Sequence, residues 1–187
     1  LKTQTKDVLF KHLFADLSLS DSEANSFHDI DSDIRLNYDP IANALVGGKS
    51  IEHLKDYSNY IERYNNHKTI SVNGSIYGDA GASSLQELTY TLGHYNEYLN
   101  AITEGQDSFS IEGLIEKSSI SLSITENYFV NIAKFRAIRI LLKALFEGYE
   151  YTGDEQPVIG AISSSRSFTN NDANNNLLRA TTQGMSA

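Results

Sequence analysis

The feature that most constrains this chain is the regular alternation of two hydrophobic periods. Short runs with apolar residues at every second position are followed by longer runs with apolar residues at every third and fourth. "IRLNYDP" alternates Ile34, Leu36 and Tyr38 before Pro40 stops it. "TISVN" puts Ile70 and Val72 on one face, "ISLSIT" does the same with Ile120, Leu122 and Ile124, and "VIGAI" is a fourth, mostly apolar run. These read as strands. The intervening segments read as amphipathic helices. Strand followed by helix, four times over, predicts a parallel sheet with helical crossovers. Both a partial TIM-type (β/α)8 barrel and a doubly wound, flavodoxin-like sheet satisfy the pattern. A complete barrel needs about 250 residues, so the 187 residues here, with four βα units, correspond to about half of one.

Along the chain, residues 6–17 predict a helix and residues 18–33 a solvated acidic loop, so 1–33 leads into βα units spanning 34–187. Gly47-Gly48 predicts a turn, and Ser50 caps a helix carrying Ile51, Leu54, Tyr57, Ile61 and Tyr64. Ser84 and Glu87 match a capping box for a helix whose stripe is Leu85, Leu88, Leu92, Tyr95, Leu99 and Ile102. The third long helix is expected to turn Phe129, Ile132, Ala133, Ile140, Leu141, Ala144 and Leu145 inward. Gly148, Gly153 and Pro157 break the chain, and Asp172 is positioned to cap a last helix bearing Leu177, Leu178, Thr181 and Met185. The start at Leu1, inside a helical pattern, leads to the expectation that the sequence is an excised piece.

Composition narrows function by exclusion. A net charge of −9 argues against nucleic-acid binding. With no cysteine there is neither disulfide nor thiolate metal site. No apolar run reaches the about 20 residues of a membrane span, and with no signal-like segment a cytoplasmic location is expected. Asn73-Gly74-Ser75 matches a glycosylation acceptor but reads as a strand end and turn. The five histidines, His12, His28, His53, His67 and His94, show no metal-ligand spacing, and His94 lies off its helix stripe, predicting a solvent-facing ring. "YGDAGA" lacks phosphate-loop spacing, and Gly81 and Ala82 are expected to let the next helix approach the sheet. Asp79, the acid in that corner, is a general base or a cap for the next helix. The serines of "SSSRSFTNNDANNN" have no His and acid at readable positions. Lys134, Arg136 and Arg139 form a solvated basic face or, for the two arginines, a carboxylate clamp toward a neighbour.

Three segments together carry a resemblance: "ISVNGSIYGDAGASSLQELTYTLGHYNEYL", "NYFVNIAKFRAIRILLKALF" and "AISSSRSFTNNDANNNLLRATTQGMSA". With "AGA" before an apolar helix, K-x-R-A-x-R (Lys134 to Arg139) and D-x-x-x-N-x-L-R (Asp172 to Arg179), the chain resembles the adenosylcobalamin-dependent acyl-CoA mutases, methylmalonyl-CoA mutase above all. The resemblance runs from Ile34 to Ala187, weakly before Ile70. It implies a substrate barrel with acyl-coenzyme A threaded through its axis and a cobalamin-binding domain outside residues 1–187. Cofactor radical chemistry would then isomerise methylmalonyl-CoA and succinyl-CoA.

In the family's catalytic barrels a His in G-Y-H-M-x-E-A-G-A hydrogen-bonds the thioester carbonyl, and a Gln in S-Q-T-S-G faces the same site. Gly74 to Ala82 puts Ile76 at the His position, and counting back from Asn176 and Arg179 puts Ile162 at the Gln position. The resemblance is to the small, β-type, non-catalytic subunit, whose N-I-Y-x-x-A-G-A and A-I-T-S-W-R-x-L-T look like Ser75–Ala82 and Ala161–Thr169. Ser165 replaces the Trp. It implies no catalytic, cofactor-binding or metal residue in this chain, adenosylcobalamin only in the holoenzyme, and the large catalytic subunit as partner. A half-barrel's open edges also predict self-association. A catalytic mutase for another acyl-CoA, using Asp79 or Tyr77, and an unrelated flavodoxin-like module are the alternatives.

Overall fold

The computed structural model describes residues 38–48, 57–63, 68–103 and 109–187. Their order is α1 (Pro40–Gly47), α2 (Tyr57–Arg63), β1 (Ile70–Asn73), α3 (Ser75–Asp79), α4 (Ser84–Thr103), α5 (Ile111–Glu116), β2 (Ser118–Ile124), α6 (Tyr128–Glu147), β3 (Val158–Ser163), a 3-10 turn (Ser165–Ser167) and α7 (Ala173–Gly184). The strands form a parallel sheet in the order β1-β2-β3. Parallel neighbours need a crossover: α3 to α5 supply the first and α6 the second. The α/β class and the repeated βα unit are therefore as the sequence predicts. The expected helix at 6–17, the loop at 18–33, residues 34–37 of the first expected strand and residues 50–56 lie outside the described residues.

Two expectations are corrected at the start of the described chain. Pro40 does not merely stop a strand; it opens α1 as its first residue, with the Asp39 side chain accepting from Ala42 N at 2.8 Å. Proline has no N–H to waste there and its φ is already helical. Ser75, placed in the turn expected after Asn73, instead opens a short helix. Gly47-Gly48 does end α1, with Gly48 left-handed at φ 62°.

One face of the sheet carries the core. Ile70, Val72, Ile120 and Leu122 pack with Tyr95, Tyr98, Leu99 and Ile102 of α4 and with Ile138, Leu142 and Phe146 of α6. The inward face of α6 is thus rotated from the predicted stripe: Phe129, Ile140, Leu141 and Ala144 are exposed, while Asn131, Lys134, Ile138, Leu142 and Phe146 are buried. Two polar members of the real stripe hide it from a hydrophobic pattern. Leu85 likewise faces out at 74 % exposure. The cap of α4 is shifted by one residue: Ser83 N donates to Gln86 Oε1 at 2.9 Å and Gln86 N to Ser83 Oγ at 3.4 Å. Glu87 is elsewhere.

Candidate functional site

Ligands of parallel α/β folds sit beyond the carboxyl ends of the strands. Here that end is covered by α3, held close by glycine. A Cβ on Gly74 would lie 2.2 Å from Thr91 Oγ1, and one on Gly78 2.3 Å from Ser123 Oγ. These two, rather than Gly81 and Ala82, permit the close approach; Gly81 instead takes φ 109° to turn toward α4. Ser75 Oγ donates to Asn73 Oδ1 at 2.7 Å, tying the helix to the end of β1.

Asp79 neither caps α4 nor stands free as a base. It accepts from Ser164 Oγ at 2.7 Å and Ser165 N at 3.1 Å, so it joins the turn after β1 to the turn after β3. Arg166 Nη1 adds a 3.3 Å bond to the Gly78 carbonyl. The serine-rich tract is therefore used in loop closure, and Asp172 caps α7 as predicted, accepting from Asn174 N and Asn175 N.

Beneath α3 lies a buried charged pair. β1 pairing ends at Asn73↔Ser121. Two residues further along β2, Ser123 N donates to Glu87 Oε1 at 2.6 Å and Ser123 Oγ to Glu87 Oε2 at 2.9 Å. Lys134 Nζ lies 2.7 Å from Glu87 Oε2 and also donates to the Ser123 carbonyl. Lys134 thus leaves the basic face proposed for it. Arg136 and Arg139 are exposed, and among the described residues neither reaches a carboxylate.

A second buried node is centred on Asp39. Its carboxylate accepts from Asn73 N at 2.6 Å and from Tyr98 O–H at 2.6 Å, and His94 Nε2 lies 3.0 Å away. That last contact is a close approach without hydrogen-bond alignment, since Nε2 makes no hydrogen bond. His94 Nδ1 faces the Tyr77 hydroxyl at 3.2 Å. The ring is buried, contrary to the solvent-facing expectation, because residues 87, 91, 94 and 98 share one side of α4. Burial alone would raise the Asp39 carboxyl; the adjacent His94 ring, the Tyr98 hydroxyl and the Asn73 N–H outweigh it and hold the group below the ordinary value of 3.8. Burial and the Asp39 charge push Tyr77 up to about 12. The sequence held a sign of this node: Asp39-Pro40 is itself a cap followed by a first-turn proline. His12, His28, His53 and His67 lie outside the described residues.

The face of the sheet opposite the core carries small side chains. Alternation and register place Ser71, Ser119 and Val158 in one row, Asn73, Ser121 and Gly160 in the next, and Ser123 and Ile162 nearest the carboxyl end. Ile76, the second residue of α3, and Ile162, the penultimate residue of β3, are both half-buried. Both belong to the carboxyl end, and neither can offer a hydrogen bond. The nearest hydroxyl in register, Ser123, is engaged by Glu87 and Lys134.

Histidine is the residue that would ligate a corrin's metal. His94, the only histidine among the described residues, does not fit, because both ring nitrogens face protein partners inside the core. Nor do the described residues hold any cluster of three metal-ligating side chains. No described helix is long and apolar enough to cross a membrane.

Comparison with known proteins now bears on this site. The family profile described as methylmalonyl-CoA mutase matches residues 44–187. A methylmalonyl-CoA mutase small subunit from Porphyromonas gingivalis is 31 % identical over 162 residues, 81 % of this chain and 25 % of that protein. The small subunit from Propionibacterium freudenreichii subsp. shermanii is 27 % identical over 82 % of this chain and 24 % of its own length. A large subunit from Streptomyces virginiae is 32 % identical over 70 % of this chain and 17 % of its own. The chain thus spans about a quarter of the small subunits it matches.

Proposed function

The chain belongs to the methylmalonyl-CoA mutase family, and from that premise we propose that it is part of the substrate-type (β/α)8 barrel of a small, non-catalytic subunit. Its role is to support a large catalytic subunit, which with adenosylcobalamin interconverts methylmalonyl-CoA and succinyl-CoA. One observation carries this reading: the two positions that the family resemblance gives to a thioester-binding His and a Gln hold Ile76 and Ile162, at the carboxyl end of the sheet. Losing one such donor costs about 10²–10³ in rate, and here both are replaced.

The test is an isomerisation assay on the full-length protein containing this chain, alone and with the large subunit. Turnover is expected only in the mixture. Turnover by the small subunit alone, with cofactor supplied, overturns the proposal.

A second reading is favoured by the small inner face. Packed barrels fill their interior with bulky branched side chains, whereas these rows hold one Val and one Ile among serines, Asn73 and Gly160. Small polar side chains of this kind suit contact with an extended ligand, as in a mutase acting on another acyl-CoA. Saturable binding in an acyl-CoA titration of the full-length protein supports that alternative, and its absence supports a silent scaffold. We further propose that the isolated chain self-associates through exposed apolar residues such as Ile140, Leu177 and Leu178. Light scattering should give a mass above 20.8 kDa, and a clean monomer rejects it.

A further inference from the structure

Six of the chain's 11 tyrosines join His94 in one connected run of rings. Centroids are 4.4 Å apart for Tyr38–Tyr60, 6.0 Å for Tyr38–Tyr57 and 4.5 Å for Tyr57–Tyr98. The run continues at 4.9 Å from Tyr98 to His94, 6.1 Å from His94 to Tyr77 and 5.5 Å from Tyr77 to Tyr90. It begins at the surface, where Tyr90 is 49 % exposed, and reaches Tyr98 and Tyr57 in the core.

Ring packing explains the contacts but not the proton acceptors set along them. Tyr98 O–H donates to the Asp39 carboxylate at 2.6 Å, and His94 stands between Asp39 and the Tyr77 hydroxyl. A phenol gives up an electron far more readily when a base is in place to take its proton. The chain also lacks Cys and Trp, which would otherwise compete for an oxidising equivalent, and its one Met, Met185, follows α7.

We propose that Tyr98 is a redox-active tyrosine, reached from the surface through Tyr90, Tyr77 and the His94 ring. An outer-sphere one-electron oxidant arriving at Tyr90 accepts one electron and is reduced. The electron deficit passes inward and comes to rest on Tyr98. The Tyr98 O–H bond breaks, its proton forms an O–H bond on Asp39, and a neutral phenoxyl radical remains. One electron from an external reductant, with the proton returned from Asp39, restores the phenol. Full burial of Tyr98 keeps the radical away from solvent and from other chains. None of this depends on the mutase reading.

The test is flash-quench oxidation of the full chain with photogenerated tris(bipyridine)ruthenium(III), followed by electron paramagnetic resonance. One persistent tyrosyl signal with the line shape of an immobilised ring is expected. Tyr98→Phe should abolish it, and Asp39→Asn should shorten its lifetime by about tenfold or more. Tyr90→Phe should slow its formation without changing its shape, whereas Tyr128→Phe, outside the run, should change neither. An unchanged signal in Tyr98→Phe overturns the proposal, as does a parent spectrum of short-lived radicals on scattered tyrosines. If either core variant fails to fold by circular dichroism, Tyr90→Phe decides: an unchanged rate of formation overturns it.

Discussion

Glu87 is the residue whose sequence context is most misleading. Its spacing from Ser84 suggests a helix cap, yet its carboxylate is buried between Ser123 and Lys134. Nothing local pairs position 87 with 134, because the sheet brings them together. Removing one member of a buried pair leaves an uncompensated charge, at a cost of about 3–5 kcal/mol. Lys134→Met should therefore lower the urea midpoint sharply, and Glu87→Gln in the same background should recover more than half of the loss. Additive losses in that double-variant cycle would mean that the pair is not coupled. At the candidate site, Ile76 and Ile162 could be singled out from the resemblance. His94 could not, and Asp39 only as a helix cap, since their partners in the node come from distant segments.

Among the elements, α3 is the one most dependent on missing side chains. Gly78→Ala would drive a methyl into Ser123 and should cost about 1–3 kcal/mol. Gly93 in α4 provides the contrast, with nothing within 4 Å of an added Cβ; Gly93→Ala should stabilise by about 0.5–1 kcal/mol from helix propensity. Thermal melts of both variants check the pair, and equal shifts would contradict the close packing of α3. The long elements were legible because their periods run for many residues. The face of α6 was not, because Asn131 and Lys134 lie inward with buried partners, as a hydrophobic pattern cannot show. The short α3 was hidden for another reason: five residues are too few to express a helical period.

For the whole molecule, the buried acids and phenols set two pH limits. Asp39 has a folded value below its ordinary 3.8, so its stabilisation is present above that value and is lost as the pH falls through the depressed one. Tyr57, Tyr77, Tyr95 and Tyr98 are all raised above 10.0, chiefly by burial. Their contribution is whole below pH 10 and disappears as the pH climbs toward their folded values, because the unfolded phenols ionise first. A denaturation series should show a steep alkaline fall beginning near pH 10, and Tyr98→Phe should blunt it. The parallel α/β class itself was legible in the alternating periods. Sheet register and the small-residue inner face become apparent only once the strands are aligned.

Where β1 stops short, an acid and an amine counterfeit the strand that is missing, answering the Ser123 backbone as a neighbour would. The vacated width accommodates α3. A chain built this way trades a length of ribbon for a lid, and the lid's seat is guarded by charge rather than by grease.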